Sequence, residues 1–150
     1  MKIEEVLKIK NFSSEAQKAY INVLYTATVL RGKISVRLKK FELTHEQFNV
    51  LRIIKGQHPN LVCVKDITNR MVEPNSNTTR ILDRLQHKQL VKRNPSERDR
   101  RELWITITEN GLNLLATIEA DFINDNPHES NLSHAEAVLL NGLLDKLRND

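Results

Sequence analysis

Residues 75–108 read NSNTTRILDRLQHKQLVKRNPSERDRRELWITIT, and this stretch decides the fold. Its first part carries Ile81, Leu82 and Leu85 at helical spacing. Ser76, Asn77, Thr79, Arg80, Asp83 and Arg84 fall on the opposite side. Asn75 or Ser76 has the short polar side chain that caps such a helix, which is expected to run to about Lys88. Leu90-Val91-Lys92-Arg93 reads as a strand, and Asn94 to Arg100 as a polar, turn-rich tip. Glu102 to Thr108 then alternates, with Leu103, Ile105 and Ile107 on one face and Trp104 and Thr106 on the other. A polar-faced helix is therefore followed by a hairpin around a basic tip.

The same stretch holds the charge. Asn75 to Arg101 contains eight basic residues (Arg80, Arg84, Lys88, Lys92, Arg93, Arg98, Arg100, Arg101) and three acidic ones (Asp83, Glu97, Asp99). The whole chain carries 23 Lys and Arg against 19 Asp and Glu, a net charge of +4, so all of the positive excess lies here. A concentrated basic stripe is the footprint of a face that meets a polyanion.

Toward the N-terminus, Glu73-Pro74 ends a short helix expected over Asp66 to Val72, because a residue before proline avoids helical geometry. Leu61-Val62-Cys63-Val64 is β-prone. Thr44 and Gln47 have capping-box spacing and open a helix that buries Phe48, Leu51 and Ile54 and is stopped by Gly56 and Pro59. Lys18 to Leu38 reads as a longer helix, beginning near Ser13 or Ser14. Toward the C-terminus, Glu109 to about Asn124 spaces Leu112, Leu115, Ile118 and Phe122 as a buried stripe. Ser133 and Glu136 form a second capping box, opening a last helix with Leu139, Leu140, Leu143, Leu144 and Leu147. Five leucines there are too many to hide easily beneath so small a domain, and such patches mark interfaces.

Helix, short helix, polar-faced helix and basic hairpin is the order of a winged helix-turn-helix. The expected fold is mainly α with a small β-hairpin wing, flanked by N- and C-terminal helices. The helix N-terminus offers Ser76, Asn77, Thr78, Thr79 and Arg80 to base edges in the major groove, which carry distinct donor and acceptor patterns. The hairpin tip can reach the adjacent minor groove, whose negative potential attracts Arg98, Arg100 and Arg101. Asp99 fits there by pairing with an arginine and fixing its direction.

Composition narrows the remaining classes. The 150 residues are 39% hydrophobic and 28% charged, a soluble globular balance, and no apolar run approaches the ~20 residues of a membrane helix. Four dispersed glycines cannot assemble a phosphate-cradling loop. Serines in caps and turns lack a nucleophile-elbow context, so no enzyme and no cofactor is expected. A lone Cys63 in an apolar run reads as core packing in a cytoplasmic protein. Asp121, Asp125, His128, Glu129 and His134 lie close in sequence, but without compact metal-ligand spacing they read as a polar loop, and no metal is expected.

The chain resembles the MarR-type transcriptional regulators. The stretches that carry this are Leu43 to Leu51, Asp66 to Met71, Ser76 to Leu85, Leu90 to Arg93, Ser96 to Arg101 with its Asp99-Arg100-Arg101 ending, and Ile107 to Gly111. The resemblance implies a single domain over 1–150, with dimerisation helices at 14–38 and 109–148 and the winged helix-turn-helix at 43–108. It implies a homodimer straddling double-stranded DNA at an inverted repeat, and a small effector bound between the dimerisation helices and the winged lobes. Asn77, Thr79 and Arg80 then resemble base or phosphate contacts, sharing the recognition helix with Ser76, Thr78 and Arg84. Arg101 resembles the minor-groove arginine with Asp99 holding it, and Arg98 and Arg100 resemble backbone contacts. One departure is Gln89, where the family often has glycine; a left-handed Gln89 costs on the order of 1 kcal/mol. The expected function is a dimeric, sequence-specific DNA-binding regulator, a repressor released by an effector. The alternative is a winged-helix protein–protein module whose basic face meets an acidic partner.

Overall fold

The computed structural model describes residues 1–9, 11–73, 77–95, 103–124 and 131–148. Among them the order is α1 (Ile3–Leu7), α2 (Glu15–Leu38), a 3-10 turn (Lys39–Phe41), α3 (His45–Lys55), β1 (Val62–Cys63) and α4 (Val64–Arg70). Then follow α5 (Thr78–His87), β2 (Val91–Pro95), β3 (Leu103–Ile107), α6 (Glu109–Asn124) and α7 (His134–Arg148). The strands form one antiparallel sheet in the order β1-β3-β2. Val91 pairs with Ile107 and Pro95 with Leu103 along the hairpin, and Val62 pairs with Ile105 on the other edge.

The helix starts follow their caps. Ser14 accepts from the Gln17 backbone N–H at the head of α2. Thr44 and Gln47 close a reciprocal capping box on α3, at 3.2 Å and 3.0 Å, and Ser133 with Glu136 does the same for α7. The short α1 was not expected from the sequence; Glu4 on it pairs with Lys18 of α2 at 2.6 Å.

Two helix starts differ from the sequence reading for one reason: the cap sits elsewhere. Helix α4 starts at Val64, not Asp66, because the Cys63 sulfur accepts from the Asp66 N–H. Cys63 is accordingly half-buried at a helix start and not a core residue. Helix α5 starts at Thr78 with Asn77 as its cap, where Asn75 or Ser76 was expected.

One core unites the winged lobe with α6. Leu51, Ile54, Ile67, Leu82, Leu85, Ile105, Leu115 and Ile118 are almost wholly enclosed, and Leu38 joins them from the end of α2. Phe48, Leu51 and Ile54 are buried as the α3 periodicity requires, and Leu112 and Phe122 of the α6 stripe are half-buried. The last helix behaves differently. No residue of α7 is buried, and Leu139 and Leu143 are 64% and 55% exposed. On α2, Tyr20, Leu24, Leu30 and Val36 are exposed as well.

Gln89 does adopt the left-handed conformation, with φ of 59°. It occupies the position just past the C-cap Lys88. The Gln89 N–H donates to the Gln86 carbonyl and the Leu90 N–H to the Leu85 carbonyl, the paired bonds of a Schellman turn. Thr108 then locks this turn to α6. Its hydroxyl donates to the Gln89 carbonyl at 2.7 Å and accepts from the Gly111 N–H at 3.1 Å. Gly111 lies so close that a Cβ there would strike the Leu90 carbonyl oxygen.

Candidate nucleic-acid interface

Helix α5 is strongly two-sided. Leu82 and Leu85 enter the core, while Asn77, Thr79, Arg80, Asp83 and Arg84 face outward. Arg80 and Arg84 stand one turn apart, so both guanidinium groups project from the same stripe. Together with Thr44, Glu46, Gln47, Glu73, Asn77 and Ile81 they line an open groove of about 270 Å³ between the starts of α3 and α5. The Glu46 carboxyl in that groove is held below its ordinary range by a hydrogen bond with the Thr44 side chain, against partial burial that pushes the other way.

The sequence-derived residues of the recognition helix separate into two kinds. Asn77, Thr79, Arg80 and Arg84 are exposed. The Asn77 side-chain oxygen is engaged as the cap, accepting from the Arg80 N–H at 3.0 Å, so the cap uses none of the amide's two donors. Thr78 is different: only 4% exposed, its hydroxyl lies 2.9 Å from that of Thr68 on α4. It corrects the expectation of a groove-facing group, since its position at the first turn aims it back at the preceding helix. Ser76, and Arg98, Asp99, Arg100 and Arg101 of the wing tip, lie outside the described residues.

Sequence reasoning placed Arg93 in the basic stripe without giving it a role. In the structure its guanidinium lies over α5, 2.6 Å from Asp83 and donating to the Thr79 carbonyl at 3.2 Å. The signal was present in the strand alternation. Arg93 is two residues from the buried Val91, so it takes the inward face of β2, while Lys92 points out. Lys88 is also engaged, donating to the Glu42 carbonyl at 2.8 Å.

A second concavity lies behind α3. Ile34 of α2, His45, Phe48, Asn49, Arg52, Ile53 and Gly56 around α3, Arg70 and Val72, and Phe122 of α6 enclose about 390 Å³. Three of its lining residues stack in series, with Phe122 meeting Phe48 at 5.8 Å and Arg52 lying 5.8 Å over Phe48, and Arg37, outside the lining, lies 5.2 Å over the Phe122 ring. Among the described residues no three His, Cys, Asp or Glu side chains come together as metal ligands. No helix among them is long and apolar enough to cross a membrane.

Two packed helices, a polar-faced helix after a short turn, and a hairpin anchored against it define a winged helix-turn-helix protein. The MarR family model matches residues 43–103, from the start of the α3 cap to β3. The chain is 33% identical to the HTH-type transcriptional regulator MgrA of Staphylococcus aureus over 112 residues, 73% of this chain and 72% of that protein. It is 37% identical to the HTH-type transcriptional regulator YfiV of Bacillus subtilis over 108 residues, 70% of this chain and 64% of that protein. Its match to SarZ of Staphylococcus haemolyticus, 32% identical, spans 59% of this chain and 58% of that one. A mutant MarR from E. coli, solved in complex with operator DNA, superposes with a TM-score of 0.79 at 21% identity, over 93% of this chain and 100% of that one. The chain belongs to the MarR family of winged helix-turn-helix transcriptional regulators.

Proposed function

We propose that this protein is a homodimeric, sequence-specific double-stranded-DNA-binding regulator that acts as a repressor. The observation that carries this is the outward face of α5, where Asn77, Thr79, Arg80 and Arg84 stand together beside a hairpin whose tip sequence is basic. Small polar groups and arginines at a helix start suit base edges and flanking phosphates in the major groove. Ser76 extends that set. Arg98, Arg100 and Arg101 serve the minor groove and backbone, with Asp99 orienting Arg101. The operator complex of the E. coli relative lends the DNA partner by analogy.

Dimerisation is supported by the apolar side chains left uncovered on α2 and α7. Two-fold symmetry then calls for an inverted repeat with half-sites about one helical turn apart. The cavity behind α3 suits an effector with an apolar body and a negative charge, since Ile34, Phe48, Ile53 and Phe122 would pack the first and the cationic Arg52 and Arg70 would pair with the second. Its walls come from both the dimerisation helices and the reading lobe, so a ligand there bears on the angle between them.

The test is selection of bound duplexes from a random pool at near-physiological salt, with the oligomeric state read by sedimentation. An enriched inverted repeat and a dimer are expected. Binding without sequence enrichment by a folded dimer overturns the reading and favours the protein–protein module, because only a groove reader distinguishes sequences.

A further inference from the structure

We infer that Arg93 and Asp83 form a clamp that positions the reading helix against the wing, so that sequence discrimination depends on two residues that need not touch DNA. This rests on the DNA-binding reading above. The Arg93 guanidinium reaches Asp83 at 2.6 Å and donates to the Thr79 carbonyl at 3.2 Å. Thr79 and Asp83 are one helical turn apart, so one strand residue grips two successive turns of the polar face of α5. Arg93 lies two residues before the end of β2, on the strand paired through Asn94–Trp104 and Pro95–Leu103 with β3. Whatever the tip meets, its base is fixed to the helix by this group.

The advantage is preorganisation. A helix in one groove and a wing in the next are two tethered contacts. Their joint strength depends on how narrowly the tether restricts their relative placement. A salt bridge whose arginine is mostly enclosed (its side chain is 21% exposed) restricts that placement more than a solvated pair does. The clamp also accounts for a carboxylate on a face meant for a polyanion. Asp83 is 56% exposed on the side chain, and an unpaired acid there would repel phosphate. Held against Arg93, its charge is offset.

Charge and clamp give opposite signs for one substitution. On charge alone, Asp83→Asn removes a negative group from a DNA-facing surface and strengthens binding to every duplex. Under the clamp it releases Arg93 and lowers the ratio of operator to random-duplex affinity. The experiment measures both affinities across a salt series for wild type, Asp83→Asn, Arg93→Gln, Arg93→Lys and the exchange Asp83→Arg with Arg93→Asp, each checked for a cooperative melt. Each neutral variant is expected to lose about tenfold of the ratio, the size of one coupled charged pair. Both contacts run through one guanidinium nitrogen, Nη2, so Arg93→Lys keeps the charge but carries it on a shorter side chain and falls between, and the exchange regains part of the loss. Tighter or unchanged operator binding by Asp83→Asn overturns the clamp. So does an equal loss on operator and random duplex by Arg93→Gln with the salt slope reduced by about one, which marks a phosphate contact. If wild type itself fails to discriminate, the DNA-binding reading falls; if wild type discriminates and the variants match it, only the clamp falls.

Discussion

The hydroxyls of Thr68 and Thr78 lie 2.9 Å apart, and the Thr68 oxygen is also 2.9 Å from the Val64 carbonyl. A hydroxyl has one proton to give, so both bonds are made when Thr78 donates to Thr68 and Thr68 donates to Val64. This relay joins the two helices of the helix-turn-helix at the point where the second begins. It ties the first residue of α5 to α4.

Removing either hydroxyl breaks the relay. Thr78→Val and Thr68→Val are each expected to destabilise the fold by about 1 kcal/mol, the typical worth of one intramolecular hydrogen bond. The double substitution should cost clearly less than the two added together, because both delete the same contact. Urea denaturation of the four proteins reads this, and strict additivity would show that the two side chains act separately.

Gln89 occupies a left-handed position that glycine fills without a Cβ penalty. Gln89→Gly is expected to raise stability by up to about 1 kcal/mol, the left-handed penalty offset in part by the greater freedom glycine gives the unfolded chain. The Schellman bonds involve only backbone groups and survive the change. A lower midpoint in chemical denaturation would mean that the Gln89 side chain contributes more than its backbone costs.

Gly111 gives the converse case. Alanine is the better helix former by about 1 kcal/mol in an open helix interior. Here its Cβ would lie against the Leu90 carbonyl and 2.7 Å from Ile107 Cγ1, and a backbone carbonyl cannot swing aside. Overpacking should win, with Gly111→Ala destabilising by about 1–3 kcal/mol in a thermal or urea melt. A more stable variant would contradict the close approach of α6 to the turn.

The Glu46 carboxyl titrates below the ordinary glutamate range because its charged form is hydrogen-bonded with Thr44. A pKa lower in the folded than in the unfolded chain means that the ionised group adds stability above its unfolded value. That contribution is lost as pH falls through the lower, folded one. Comparing wild type with Glu46→Gln in urea from pH 7 downward isolates it. The wild-type advantage should be present at neutral pH and shrink on acidification, and an advantage that grows instead would reverse the sign argued here.

The helices and the wing were legible because their signals are local. Thr44 with Gln47 and Ser133 with Glu136 announce helix starts, and Leu82 and Leu85 announce a buried face. The start of α5 was misplaced because Asn75, Ser76 and Asn77 all have capping chemistry, and only the completed turn selects Asn77. Cys63 departs from its expected burial for a related reason. Its apolar neighbours suggest burial, yet a sulfur at a helix start can accept from the backbone and remain half-exposed. Thr78 and Arg93 were out of reach of helix periodicity alone. One turns back to Thr68, ten residues earlier, and the other crosses from a strand to a helix. Such contacts exist only once the elements are placed.

Because no residue of α7 is buried in its own chain and none packs against the core, its sequence is little constrained by the core that shapes the reading head. A substitution at Leu139 or Leu143 leaves Leu82, Leu85 and Ile105 packed as before. In the proposed dimer, choice of companion and choice of target are thereby separable traits, written in different parts of one chain. A duplicated copy could acquire a new companion through a few leucine positions while still reading the same site.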